Sequence, residues 1–198
     1  MKTVLCYGDS ITWGYNPEDA SRFEFNERWP GILQGELGDS VRVIEESLPG
    51  RTTNSDRPYL PDRNGSTCLP MILEAHAPID VFILMLGTND LFKAFGFSAS
   101  DIAASCMSLI WKVQKSMAGP GYGVPEILLI APPKLGKLST FMSFYLEGRQ
   151  KASSELAREY KKAAEVSACH FLDASKHVRA SKIDGVPSKE NSLWRSGI

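Results

Sequence analysis

The chain has 198 residues, enough for one full-sized domain and too few for a string of small modules. Lysine and arginine number 22 against 23 aspartates and glutamates, a formal net charge of −1, so there is no cationic surplus to draw nucleic acid or an anionic membrane. With 43% hydrophobic and 10% aromatic residues the composition is that of a globular core, not of a disordered or low-complexity chain.

The first seven residues run straight into Gly8-Asp9. Their apolar stretch is too short for a secretory signal and reads as a first strand at 4–7. Helical spacing follows at 28–37, a strand at 41–44, a helix at 69–76, a strand at 81–86, and a helix at 98–117. A strand at 127–130, one long helix over about 144–166 and a last strand at 169–172 complete the series. The strands are short, continuously apolar and bounded by Gly, Pro, Asp or Asn, as in strands buried on both faces. No apolar run reaches the 18 residues of a membrane span, so a cytoplasmic location is expected. Cys6, Cys68, Cys106 and Cys169 are widely scattered and read as reduced, mostly buried thiols.

Strands that alternate with helices make a parallel sheet covered on both faces. With right-handed crossovers, five strands give a flavodoxin-like, doubly wound α/β/α sandwich of three layers. No repeat or linker divides the chain, and 1–198 is expected to be one domain. Ligands of such folds bind beyond the carboxyl ends of the strands, near the point where strand order reverses. Four polar or Gly/Pro-rich segments fall there: Gly8-Asp9-Ser10, Leu48-Pro49-Gly50-Arg51-Thr52, Gly87-Thr88-Asn89-Asp90 and Ala131-Pro132-Pro133. Longer irregular stretches at 15–25, 55–66 and 119–125 would wall a pocket or make contacts between subunits.

Ser10 occupies the turn after the first strand, where a serine either caps a helix or stands exposed as a nucleophile with its own N–H facing a carbonyl oxygen. It is not the G-x-S-x-G elbow, because Thr12 replaces the second glycine. Gly50 is either a turn glycine or a place where a backbone N–H approaches a ligand closely. Asn89 is either a loop cap or an amide donor. Together the Ser10 N–H, the Gly50 N–H and the Asn89 amide would form an oxyanion hole, in which one donor is worth about 2.7–4 kcal/mol of barrier.

Gly8-Asp9-Ser10-Ile11-Thr12-Trp13-Gly14, Gly50-Arg51-Thr52-Thr53, Gly87-Thr88-Asn89-Asp90 and Asp184-Gly185-Val186 resemble the four sequence blocks of the SGNH (GDSL-type) hydrolases. Glu45-Glu46, Arg63-Asn64-Gly65-Ser66-Thr67, Leu69-Pro70-Met71 and Met85 to Asp90 resemble, more narrowly, the bacterial arylesterase and acyltransferase branch, which includes carbohydrate acetylesterases. The resemblance implies a serine esterase for short acyl esters, with no metal or organic cofactor and a small-molecule ester as substrate, assembled as a homo-oligomer. By this resemblance Ser10 matches the nucleophile, Gly50 and Asn89 the other oxyanion donors, and Asp184 the acid that orients a histidine.

The family places that histidine three residues after the aspartate, where this chain has Pro187. A base for the serine proton is typically worth 10²–10⁴-fold. Of the three histidines, His76 is expected at a helix end and His170 within the last strand, both structural, while His177 follows Asp173 in the loop beyond that strand. The segment 187–198 is also shorter than the closing helix that the resemblance implies, as though the gene end were frameshifted or truncated. Two readings therefore stand: an esterase impaired by Pro187, and a catalytically inactive binding module.

The remaining signals are weak. Histidines and cysteines lack zinc spacing, and there is no phosphate-binding loop. Asn64-Gly65-Ser66 fits a glycosylation acceptor but reads as an Asn-Gly turn followed by a helix cap. Trp13, Tyr15, Phe23 and Phe25 either line a small acyl or aromatic pocket or pack as ordinary core.

Overall fold

A computed structural model describes residues 1–57 and 59–186. Pro187 and the rest of the atypical segment lie outside the described residues. The elements in chain order are β1 (Lys2–Gly8), α1 (Ser10–Trp13), α2 (Trp29–Leu37), β2 (Val41–Ser47), α3 (Gly65–His76), β3 (Val81–Met85), α4 (Ala99–Lys115), β4 (Glu126–Ala131), α5 (Thr140–Leu146), α6 (Gln150–Val166) and β5 (His170–Asp173). The five strands form one sheet in the order β2-β1-β3-β4-β5, with every pair parallel. This is the α/β sandwich that the alternation of strand and helix predicts.

Residues alternate between the two faces of each strand with period two. Leu5, Tyr7, Phe82, Leu84 and Leu129 point into one core with Leu69 and Leu73 of α3, Ile102, Cys106 and Leu109 of α4, and Leu156 and Tyr160 of α6. Val4, Cys6, Val43, Ile83, Met85 and Ile130 point into the other, with Trp29 of α2 and with Ala174 and Val178 beyond β5. The central strands are buried on both faces as expected, whereas β2 and β5, at the sheet edges, are mostly half-buried. Register places Gly8 opposite Ser47 and Met85, and Ala131 opposite Asp173, so the loops after all five strands leave one rim.

Two local devices shape that rim. In α3, Pro70 lacks the N–H that would satisfy the carbonyl of Ser66, and Lys112 Nζ of α4 donates to that carbonyl at 2.9 Å instead. The single helix expected over 144–166 is two helices. Gly148, at φ +78°, leaves the helical region, and Ser153 N–H restarts the ladder on the Arg149 carbonyl at 3.0 Å. The break is held by Arg149, whose Nε donates to the Leu91 carbonyl at 2.8 Å and whose Nη2 donates to the Phe97 carbonyl. Above it, Phe92 stacks on Tyr145 of α5 with centroids 5.3 Å apart, and Lys93 N–H donates to the Tyr145 carbonyl at 2.8 Å. The α5–α6 corner thus clamps the loop that follows β3.

Candidate active site

The sheet order reverses between β1 and β3, and the crevice there is flanked by the segments bearing Ser10 and Asn89. Ser10 is the first residue of α1, and Asp9 is the cap, its Oδ1 accepting from Ile11 N–H at 2.9 Å. Gly8 lets this turn be so tight, because a Cβ on it would collide with the side chain of Thr12. Gly14 N–H and Tyr15 N–H both donate to the Ser10 carbonyl at 3.0 Å, which closes the short helix. Among the described residues, none hydrogen-bonds the Ser10 hydroxyl.

The loop after β2 is stitched to this elbow. Leu48 N–H donates to the Gly8 carbonyl at 3.2 Å, and Arg51 Nη1 donates to the carbonyls of Gly8 and Glu46 at 3.1 and 2.6 Å, its guanidinium lying over the Tyr7 ring. Tyr7 hydroxyl donates in turn to the Gly65 carbonyl at 2.7 Å, at the start of α3. Asn64 is itself the cap of that helix, accepting from Ser66 N–H at 3.0 Å, so the Asn-Gly pair opens α3 four residues before the expected start. Gly50 is held through its carbonyl by Arg57 Nη1 at 3.2 Å, and the neighbouring Pro49 carbonyl accepts from Arg63 Nε at 2.8 Å.

The loop after β3 closes the third side. Asn89 Nδ2 donates to the Arg51 carbonyl at 3.0 Å and lies 3.5 Å from Asp9 Oδ2. Asp90 takes the Thr53 N–H at 3.0 Å and the Thr53 hydroxyl at 2.5 Å. Behind it, Tyr160 hydroxyl donates to the Leu86 carbonyl at 2.7 Å and accepts from Cys106 Sγ. The structure therefore brings the segments of Ser10, Gly50 and Asn89 together. Asp184 reaches the same rim from beyond β5, on a turn whose Gly185 carbonyl accepts from Gly136 N–H at 2.8 Å and whose Asp184 carbonyl accepts from Ser139 N–H at 3.1 Å. Its Oδ1 accepts from Val186 N–H at 2.9 Å.

Sequence reading missed the carboxylates behind the elbow, although Asp9, Thr53 and Asp90 lie inside the segments it singled out. Both aspartates have no exposed surface. Burial pushes the Asp9 carboxyl up to about 7; the Asp90 charge adds to the rise, and the Ile11 N–H, Arg51 and the Thr88 side chain oppose it. Burial likewise raises Asp90 to about 6, against the Thr53 hydroxyl and N–H and the Arg57 charge.

The other candidates are placed as follows. His76 Nε2 lies 2.7 Å from Glu46 Oε1, and His170 lies 3.4 Å from Glu126 in an exposed pair. His177 closes the turn after β5 through its N–H to the Ala174 carbonyl, 3.0 Å away. Trp13 and Phe25 carry the guanidinium groups of Arg22 and Arg28, which converge on Glu45 at 3.2 and 2.6 Å. That pins the 15–28 stretch beside the elbow. Among the described residues, no cluster of His, Cys, Asp and Glu is arranged to hold a metal ion, and no helix is long and apolar enough to cross a membrane.

A serine on a glycine-backed turn at the reversal point, with a glycine loop and an asparagine loop bonded to it, defines a hydrolase of the SGNH class. The family model described as GDSL-like Lipase/Acylhydrolase matches residues 6–189, and the chain belongs to that family. No curated protein matches the chain. Among solved structures it is similar to a carbohydrate acetylesterase from Sinorhizobium meliloti, at 36% identity and TM-score 0.93 over 99% of this chain and 96% of that one. It is similar to the inhibitor-bound aryl esterase of M. smegmatis, at 35% identity and TM-score 0.93 with the same coverage. A member of the lipolytic G-D-S-L family from Veillonella parvula, at 15% identity and TM-score 0.70 over 98% and 94% of the two chains, shares the fold.

Proposed function

We propose that the protein is a serine esterase for short-chain acyl esters, with acetyl, aryl or carbohydrate esters as its substrate class. The Ser10 hydroxyl attacks the acyl carbonyl and the Ser10 N–H, Gly50 N–H and Asn89 amide receive the oxyanion; with Pro187 where the resemblance puts the histidine, the serine proton passes to water and the step is impaired. Collapse expels the alcohol, which takes up a proton, and water then releases the acid from the acyl-enzyme. Acyl transfer to an alcohol in place of water belongs to the same chemistry. Asp184 matches the acid that would orient the family's histidine, whose position Pro187 takes here, and a cytoplasmic homo-oligomer is the expected form.

The observation that carries this reading is the bond from Asn89 Nδ2 to the Arg51 carbonyl, next in chain to Gly50, which ties two of the donor segments together beside Ser10. The similarity to an acetylesterase and an aryl esterase supports the substrate class.

A second reading has its own observation: Pro187 stands where the resemblance puts the base. On that reading the pocket recognises esters or sugars without turning them over. Hydrolysis of p-nitrophenyl acetate by wild type, Ser10→Ala and Pro187→His separates the two. A gain of at least about 10² in Pro187→His identifies a site built for catalysis. Rates equal to buffer for all three, with no Ser10-dependent labelling by a fluorophosphonate, leave the binding module.

A further inference from the structure

The Asn89 amide nitrogen bears two hydrogens. One is committed to the Arg51 carbonyl at 3.0 Å, so the second is the one available to an oxyanion. Asp9 Oδ2 lies 3.5 Å from the same nitrogen, a long contact that an incoming anion would contest. Asp9 precedes Ser10 directly, is fully buried, and has its other oxygen fixed by the Ile11 N–H at 2.9 Å, so it cannot swing away.

We infer that Asp9 is a positioning residue of the acyl site: its carboxylate shares the second hydrogen of the Asn89 amide, and the oxyanion has full use of that hydrogen only when the Asp9 carboxyl is neutral. This deepens the esterase reading and rests on it. Two negative charges in one buried site repel strongly, so an ionised Asp9 opposes charge developing on the substrate oxygen beside it. A neutral Asp9 keeps its bond from Ile11 N–H and leaves the amide hydrogen to the substrate. In the form competent for the reaction the proton is on Asp9 before the ester arrives, and none moves to it during the reaction.

The charged and titratable groups facing Asp9 are Asp90 from the loop after β3, Arg51 from the loop after β2 and Tyr160 from α6. Arg57 and Cys106 lie beyond them, next to Asp90. Burial drives the Tyr160 hydroxyl and the Cys106 thiol well above their ordinary range, so both stay neutral. The titrating pair is Asp9 with Asp90, in the range of about 6 to 7, where neutral pH divides the two forms.

Phenylboronic acid, which forms a tetrahedral anion on a serine hydroxyl, tests this without turnover. Its affinity is measured at about pH 5.5 and about pH 8.5 for wild type, Asp9→Asn, Asp90→Asn and Ser10→Ala. Asp9→Asn keeps the acceptor for Ile11 N–H and replaces the second oxygen with an uncharged NH2 that cannot take the Asn89 hydrogen. It should bind roughly ten-fold tighter than wild type at the higher pH and about equally at the lower, the probe's own ionisation cancelling in the ratio. Equal affinities at both values, weaker binding at both, or tightening in Asp90→Asn alone overturns the assignment.

If wild type binds the boronate no better than Ser10→Ala, the esterase reading fails. The role of Asp9 is then decided separately, by carbon-13 titration of its carboxyl in wild type and Asn89→Ala. Loss of the amide should raise the Asp9 midpoint, and an unchanged midpoint overturns the shared hydrogen. The same titration decides the matter if Asp9→Asn does not fold.

Discussion

The side-chain amide of Asn89 is bonded to the main-chain carbonyl of Arg51, 3.0 Å away and 38 positions earlier in the chain. A loop from the right of β1 therefore holds a loop from its left, and the serine elbow lies between them. Removing the amide deletes the proposed oxyanion donor and frees the Arg51 carbonyl. Asn89→Ala should lower kcat for p-nitrophenyl acetate by about 10²–10³ with little change in KM, measured in whichever of wild type and Pro187→His is more active. A rise in KM at constant kcat would mean that Asn89 only shapes the pocket.

Stability should depend on pH through the buried carboxyls. Asp9 and Asp90 titrate at about 7 and about 6 in the folded chain, above the usual carboxylate value of about 3.9 in the unfolded one. Their neutral forms favour folding, so the contribution is complete below about pH 4 and is lost as pH rises through 6 and 7. Asp9→Asn removes that loss. Its advantage over wild type in urea denaturation should grow from near zero at about pH 4.5 to roughly 1–4 kcal/mol at about pH 8. A constant difference across that range would show that Asp9 does not change charge.

Much of the fold was legible because short, continuously apolar runs bounded by Gly, Asp and Pro, alternating with stretches of helical spacing, have few alternative explanations. The strands at 4–7, 81–86 and 127–130, and the reading of Ser10, Gly50 and Asn89 as neighbours on one rim, follow from that pattern. What pins them together was not legible. Asp90 meets Thr53 across 37 positions, a distance that only strand register closes. Gly148 falls inside the helix expected over about 144–166, and the break is not legible there because the partners of Arg149 that fix it are carbonyls 58 and 52 positions away. Backbone acceptors leave no mark in a sequence.

The α5–α6 corner should matter to the site it backs. Arg149→Met removes two charge-assisted bonds, to the Leu91 and Phe97 carbonyls, just beyond Asn89. The expected cost is about 1–3 kcal/mol in stability, with kcat falling several-fold as the loop after β3 loosens. Arg149→Lys, which has no fork, should recover part of the stability and less of the rate. Thermal melts and steady-state kinetics on the three proteins check this.

Lys112 and Pro70 should couple. Lys112→Met leaves the Ser66 carbonyl without its donor and should cost about 1 kcal/mol or more. In a Pro70→Ala background an N–H returns to that carbonyl, so the same substitution should cost less by at least about 0.5 kcal/mol in a double-mutant cycle. Additive effects would mean that water already satisfies the carbonyl.

Arg51, Arg57, Arg63 and Arg149 all secure the rim by donating to main-chain carbonyls: Gly8 and Glu46, Gly50, Pro49 and Pro61, Leu91 and Phe97. Bonds of this kind rely on local dipoles, which mobile ions screen far less than they screen exposed ion pairs. The scaffold around the serine is accordingly of a kind that brine should leave intact, even where it strips away the surface pairs of Arg158 and Lys162 with Glu159.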